Sequence, residues 1–426
     1  MNDGWNVLNW NVFKWMFAAI LAILALAVEA PAAGRVRISP MQVQDAEEAP
    51  PLEGKWKVFT GISASARYED NFHRSENDRH GVYTYLLRPG IRMNYESAKS
   101  VVSFFYSLDA HLYDDRDGGA DDFIGHTLAL AMRTSPTPKL DLRIGNTLDV
   151  TREANKADRF VNETDRERFF VNRFTPGVFY RIGDHFSTGL SYENTIVDYR
   201  RRTDQDSIAH RGIWEGYYDI SPRTSVGLKY QYWQRDYEVD ASDYTSNQGE
   251  VVFNRRGRYL ELETGAGYQH RDFDADGRSN ENLFNYRVAL TGRTDDTPLG
   301  YPRSFLTAAF SRNFNDSGLR DDFFEAMRLD LTAGRVFRDR LLLELGGFYL
   351  NADYPQQVED LADGRRIRRE DDRYGVEAGL TYWFREWLHL KLSAGYEERD
   401  SNLPGFDFDN TFVQLGLNFD YDLGSR

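Results

Sequence analysis

The chain has 426 residues, 52 Lys and Arg against 67 Asp and Glu, a net charge of -15 and no cysteine. The missing cysteine excludes disulfides, thiolate metal sites, cysteine nucleophiles and a lipobox anchor, and the acidic balance without a basic stripe excludes nucleic acid as a partner. Aromatic residues make up 14% of a chain whose mean hydropathy is only -0.62; transmembrane barrels reconcile the two because alternate residues of each strand meet lipid.

At the amino end, Trp15 to Val28 form the one long apolar run, with Lys14 before it and Ala30-Pro31-Ala32 after it. The run is short for a membrane span and has small residues placed for cleavage, so residues 1–32 read as a secretory signal peptide cleaved near Ala32. An uncleaved inner-membrane anchor is the alternative. Residues 33–56, with Asp45, Glu47, Glu48, Pro50 and Pro51, read as a solvated periplasmic linker.

From residue 57 to 426 the chain is a series of about 18 amphipathic segments of bilayer-spanning length. Residues 58–68 place Val58, Thr60, Ile62, Ala64, Ala66 and Tyr68 on one face and Ser63, Ser65 and Arg67 on the other. Residues 101–113 and 388–397 alternate in the same way, and period-two alternation is the mark of a half-buried strand. Long polar connections, such as 70–81, 152–167 and 355–372, alternate with short ones, such as 96–99, 182–184 and 294–301. The expectation is one all-β, transmembrane, antiparallel up-and-down barrel of about 18 strands with short periplasmic turns and long outer loops.

A weak repeat runs through the outward-going strands. Tyr68 with Asp70-Asn71-Phe72, Tyr192 with Asp198-Tyr199, Tyr230 with Asp236-Tyr237, Tyr268 with Asp272-Phe273, Phe310 with Asn313-Phe314 and Phe348 with Asp353-Tyr354 each set an aromatic at the membrane rim and an Asx plus aromatic beyond it, at the loop entrance. Pro89-Gly90 and Pro176-Gly177 fall inside strands, where a bulge is expected because proline cannot complete a ladder. In the last strand, Gln414, Gly416, Phe419 and Tyr421 resemble the carboxy-terminal assembly signal of outer-membrane barrels, although Asp422 to Arg426 follow the final aromatic. A strand of a soluble sandwich is the competing reading of that stretch alone.

The Ala66-Arg67-Tyr68-Glu69-Asp70-Asn71 start, the Pro-Gly strands and the Tyr/Asp/Asn-rich strand ends resemble the β-barrel porin 2 group of outer-membrane proteins over roughly residues 57–422. That resemblance implies a Gram-negative outer-membrane location and a part in exopolysaccharide export, with lipopolysaccharide, the barrel-assembly machinery and periplasmic export components as partners.

Barrels of this width leave an aqueous lumen. The inward register collects Arg67, Arg88, Arg92, Asp109, Arg133, Asp141, Arg143, Glu193, Lys229, Arg235, Glu261, Glu263, Arg287, Arg328, Asp330, Glu344, Glu377 and Lys391. A ladder of one sign would filter ions; both signs together suit a neutral or mildly charged hydrophilic solute. Sugar-chain export is therefore the leading expectation, with Trp233 and Trp383 as lumen aromatics for stacking. General diffusion of small hydrophilic solutes is the alternative, and a structural or enzymatic barrel the third. Asp272, Asp274 and Asp276 before Gly277 resemble the opening of a calcium loop, but the twelfth place is Leu283 instead of Glu, so an ordinary loop tip competes. No other cofactor is expected. The inward Asp109 and His111 read as a lumen polar pair, not a catalytic one, and no other enzyme motif is present.

Overall fold

The computed structural model describes residues 54–425, apart from 115–120, 154–155, 157–166, 202–204, 239–242, 275–279, 316–322 and 360–365. The signal-peptide and most of the linker readings fall outside the described residues. Eighteen strands run in order as β1 (Lys55–Glu69), β2 (Val82–Glu96), β3 (Ser100–Tyr113), β4 (Phe123–Thr137), β5 (Leu140–Thr151), β6 (Phe169–Ile182), β7 (Phe186–Tyr199), β8 (Ser207–Ser221) and β9 (Thr224–Tyr237). The second half continues with β10 (Tyr244–Arg256), β11 (Leu260–Phe273), β12 (Glu281–Arg293), β13 (Ser304–Phe314), β14 (Glu325–Phe337), β15 (Leu341–Glu359), β16 (Arg366–Arg385), β17 (Leu388–Ser401) and β18 (Phe408–Ser425). Each strand pairs antiparallel with its sequence neighbours, and β1 pairs with β18, so the sheet is closed. Closure leaves no unpaired edge, which is the condition for a sheet to stand in hydrocarbon.

Alternation decides the two faces. Leu190, Trp214, Leu228, Val251, Leu345, Val376 and Leu415 are exposed on the outer face, as a lipid-facing belt requires. Aromatics bound the belt at both ends: Tyr68, Tyr83, Tyr192 and Tyr268 on the loop side, Tyr180, Phe186, Tyr218, Tyr259 and Phe384 on the turn side. The seam shows why the last strand matters, because Tyr68 pairs with Val413, Ile62 with Phe419 and Thr60 with Tyr421, all outward. Residues beyond Tyr421 are part of the strand: Lys57 pairs with Ser425 after one irregularity.

Several sequence expectations need correction, among them the 355–372 connection, much of which is strand because β15 runs to Glu359 and β16 starts at Arg366. Neither Pro-Gly pair makes a bulge: Leu87 pairs with Ala110 and Gly90 with Ser107, and Phe174 with Asn194 and Gly177 with Ser191, so each ladder opens briefly with its register kept. Proline removes a donor there without inserting a residue. The connection after β12 spans residues 294–303 and is held by an Asp296–Pro302 bridge, whereas the turns 97–99, 183–185 and 338–340 are tight. In the last of these, Arg338 and Asp339 both take positive φ, 49° and 56°, as a right-twisted hairpin demands. Finally, Phe348 faces inward, paired with Asp330 and Gly375, and the outward rim residue is Tyr349.

Candidate functional site: the lumen and its mouth

Register places the charged residues singled out from sequence on the inner face. Arg67 pairs with Gln414, Arg88 with Ser63, Lys229 with Glu215 and Glu250, and Lys391 with Gly416 and Thr381. Opposite charges then find each other. Arg88 Nε donates to Asp109 Oδ1 at 2.6 Å, Arg133 Nη2 to Asp141 at 2.8 Å, and Arg328 Nη2 to Asp330 at 2.7 Å. Arg287 pairs with Glu263 at 3.0 Å, Arg256 with Glu261 at 3.0 Å, Arg211 with Glu193 at 3.8 Å, and Arg143 with Asp141 at 3.7 Å. Among the described residues, Lys229, Glu344, Glu377 and Lys391 make no ion pair. Arg92 sits on the inner wall near Phe105, 6.0 Å from its ring. Asp109 is held by Arg88 and Ser107, while His111 stacks on Phe123 at 4.4 Å, so the two do not act as a pair.

Inner-wall aromatics lie flat over glycines of the next strand. A Cβ at Gly189 would stand 2.4 Å from the Phe179 ring, at Gly227 2.4 Å from Tyr217, at Gly334 2.4 Å from Phe305, and at Gly395 2.5 Å from Phe412. Guanidinium groups cover some of these rings in turn: Arg67 over Phe412 at 3.8 Å and Arg143 over Phe179 at 4.1 Å. Rings seated in glycine notches stay against the wall, and the stacked arginines gain cation–π contact.

Burial divides the inner face by height. Arg143, Glu261, Glu263, Glu377 and Lys391 are exposed within the barrel, whereas inward residues at the loop end are packed away. There the second aromatics of the sequence repeat, expected at solvated loop entrances, turn inward: Phe72, Tyr237, Phe273, Phe314 and Tyr354 are all buried, and Tyr199 packs on Phe169, Val171 and Val197. For Tyr199, Tyr237, Phe273 and Tyr354 the physical reason is parity, because each lies at an even spacing from inward residues of its own strand; Phe72 follows the end of β1, and Phe314 ends β13 off that parity. With Tyr113, Phe123, Tyr244, Phe323 and Phe324, all of them but Tyr199 make up three separate buried clusters at the loop end, together called the collar. Arg271, fully buried, stacks on Tyr244 at 4.1 Å and donates to Asn315 O at 3.0 Å. Arg369 stacks on Phe406 at 3.8 Å and donates to Asp371 at 2.6 Å. Arg235 belongs to this collar and is buried, so it does not face water as the sequence register suggested.

Trp233 and Trp383 are on the inner face but only 4% exposed each. Trp233 lies under Arg211 at 4.6 Å, and Trp383 is covered by Tyr301 of the 294–303 connection, ring centres 4.8 Å apart. Neither offers a free face for a sugar to stack on. Of the calcium-like stretch, Asp272 is at the end of β11 with His270 Nε2 3.1 Å from its carboxylate, Asp274 follows the strand, and Asp276 lies outside the described residues.

Comparison with known proteins gives a family match over part of the chain. Residues 325–421 match the family described as "Putative beta-barrel porin 2". This is the group the sequence resembles, and the porin 2 match spans β14 to most of β18, including Glu344, Glu377, Lys391 and the closing aromatics. No curated protein matches the chain by sequence. Among solved structures, OpdK of Pseudomonas aeruginosa with vanillate is 12% identical, with a TM-score of 0.48, over 86% of this chain and 99% of that one. Pseudomonas aeruginosa OccK7 (OpdD) is 15% identical, TM-score 0.43, over 87% and 100%. Acinetobacter baumannii OccAB4 is 11% identical, TM-score 0.42, over 87% and 98%.

Proposed function

We propose that this barrel is an outer-membrane pore for passive diffusion of small hydrophilic solutes. The observation that carries the reading is the inner wall itself, where charges of both signs face water below the aromatic collar, Arg143, Glu261 and Glu263 in ion pairs and Glu377 and Lys391 of opposite sign. Paired charges leave no dominant field, so solutes are admitted by size and hydration in preference to sign. The outward apolar belt between two aromatic girdles supports the membrane location, as does the porin 2 match. Polysaccharide export fits less well, because the two tryptophans that would have stacked on sugar rings are covered.

Purified protein in liposomes should pass monosaccharides and small ions, and deleting the gene should leave surface polysaccharide unchanged while slowing small-solute uptake. Loss of surface polysaccharide with unaltered uptake would return the function to export.

A further inference from the structure

We infer that the first long loop, residues 70–81, is the size-selecting constriction of this pore, folded into the mouth and latched there by Arg74 on Glu397. The inference rests on the diffusion-pore reading above and adds the element that sets the size limit.

The loop holds its own shape before it touches the wall. Asn71 Oδ1 accepts from Ser75 N at 3.0 Å, Asn71 Nδ2 donates to Ser75 O at 2.9 Å, and Arg74, with φ of 51°, donates its N–H to Asn71 O at 3.1 Å. A residue other than glycine in that conformation is uncommon and costs energy, so the contacts its side chain gains must offset it. On one flank, Phe72 is 1% exposed and packs on Tyr113, ring centres 5.4 Å apart, within the cluster of Val82, Tyr113 and Phe123 from β2, β3 and β4. On the other flank, Arg74 Nη2 donates to Glu397 Oε2 at 3.2 Å. Glu397 lies on the inner face of β17, two strands from β1, paired in register with Gly375 and Asn410. Its other oxygen takes Arg373 Nε at 2.5 Å. One loop therefore touches the inner wall from β17 round to β4, inside the mouth.

Further bonds tie it to the closing strand and the last loop. Asn71 Nδ2 donates to Asp409 O at 2.8 Å, Asn71 N to Asn410 Oδ1 at 3.2 Å, Arg79 Nη1 to Asp409 Oδ1 at 2.9 Å, and Gly405 N to Glu76 Oε2 at 2.9 Å. Exposed pairs such as Arg79 with Asp409 contribute little each. The Arg74–Glu397–Arg373 triad is largely shielded, with side-chain exposures of 17%, 12% and 13%, so removing Arg74 leaves a poorly solvated carboxylate facing one arginine, and the loop loses its inward anchor.

The absence of native cysteine makes the test clean. In planar bilayers and in liposomes loaded against neutral sugars of increasing length, Arg74→Ala should raise conductance by about twofold or more and admit larger sugars, while Arg79→Ala, on the exposed side of the same loop, should behave as wild type. Separately, His73→Cys should react slowly with a membrane-impermeant thiol reagent, since His73 Nε2 is enclosed in the loop packing, and adding Arg74→Ala should speed labelling by about tenfold. Unchanged sieving in Arg74→Ala together with equal labelling rates in both backgrounds would overturn the latch. A protein that passes neither ions nor sugars in any form would instead sink the pore reading, and the labelling comparison would still decide where the loop lies.

Discussion

Gly267 on the inner wall has no room for even one methyl group. A Cβ there would stand 1.9 Å from Gly249 O and 2.8 Å from Glu250 Cα, both backbone atoms that cannot turn aside. On the outer face of the neighbouring strand, a Cβ at Gly249 would meet nothing within 4 Å. Gly267→Ala should therefore cost about 1–3 kcal/mol by overpacking, read as a lower urea midpoint for the refolded barrel, and Gly249→Ala should leave the midpoint unchanged. Equal midpoints for the two variants would contradict the close approach of β10 and β11 seen here. The notches under Phe179, Tyr217, Phe305 and Phe412 follow the same logic with a softer obstacle, because a ring can shift where a carbonyl cannot.

For a strand, parity is the decisive property. Glu344 and Leu345 are neighbours in β15, yet Glu344 faces Gly334 and Gly379 on the inner wall while Leu345 is 62% exposed in the lipid belt. Leu345→Arg should cost about 2–4 kcal/mol if it lies at the bilayer midplane, seen as less folded barrel after lipid refolding. Glu344→Arg should fold normally and shift the pore toward anions in reversal-potential measurements. Swapped outcomes would mean that the faces are assigned the wrong way round. In β18, Phe419 and Tyr421 stack outward with ring centres 6.2 Å apart, and Trp387 meets Phe419 at 5.4 Å. We propose that these aromatics, with Gln414 and Gly416, are the assembly signal. The double Phe419→Ala, Tyr421→Ala variant should then lower the amount of heat-modifiable barrel in membranes severalfold, and unchanged levels would remove that role.

At the scale of the whole molecule, orientation follows from loop length, because the collar and loop 70–81 lie at the long-loop end. Tight turns belong at the periplasmic end and long loops outside. A thiol probe on intact cells should thus label Asp78→Cys and miss Ala98→Cys; the reverse would put the collar at the periplasmic mouth.

Strand number, face assignment and closure were legible in the chain because each depends on local alternation, and lipid outside with water inside makes a one-residue error costly at every strand. Alternation also put the charged residues on one face of each strand. Nothing local showed which of them would pair, since Arg88 with Asp109 and Arg287 with Glu263 meet only through register across strands. The same holds for burial: Trp233, Trp383 and Arg235 have the parity of lumen residues, but Arg211, Tyr301 and the aromatic collar cover them from elsewhere in the chain. The Asx-aromatic repeat was visible in sequence, yet its second ring packs inside the mouth because loops and neighbouring strands supply apolar partners there. Arg74 and Glu397 are 323 residues apart, and only the closed barrel, by joining its first strand to its last, brings them within reach.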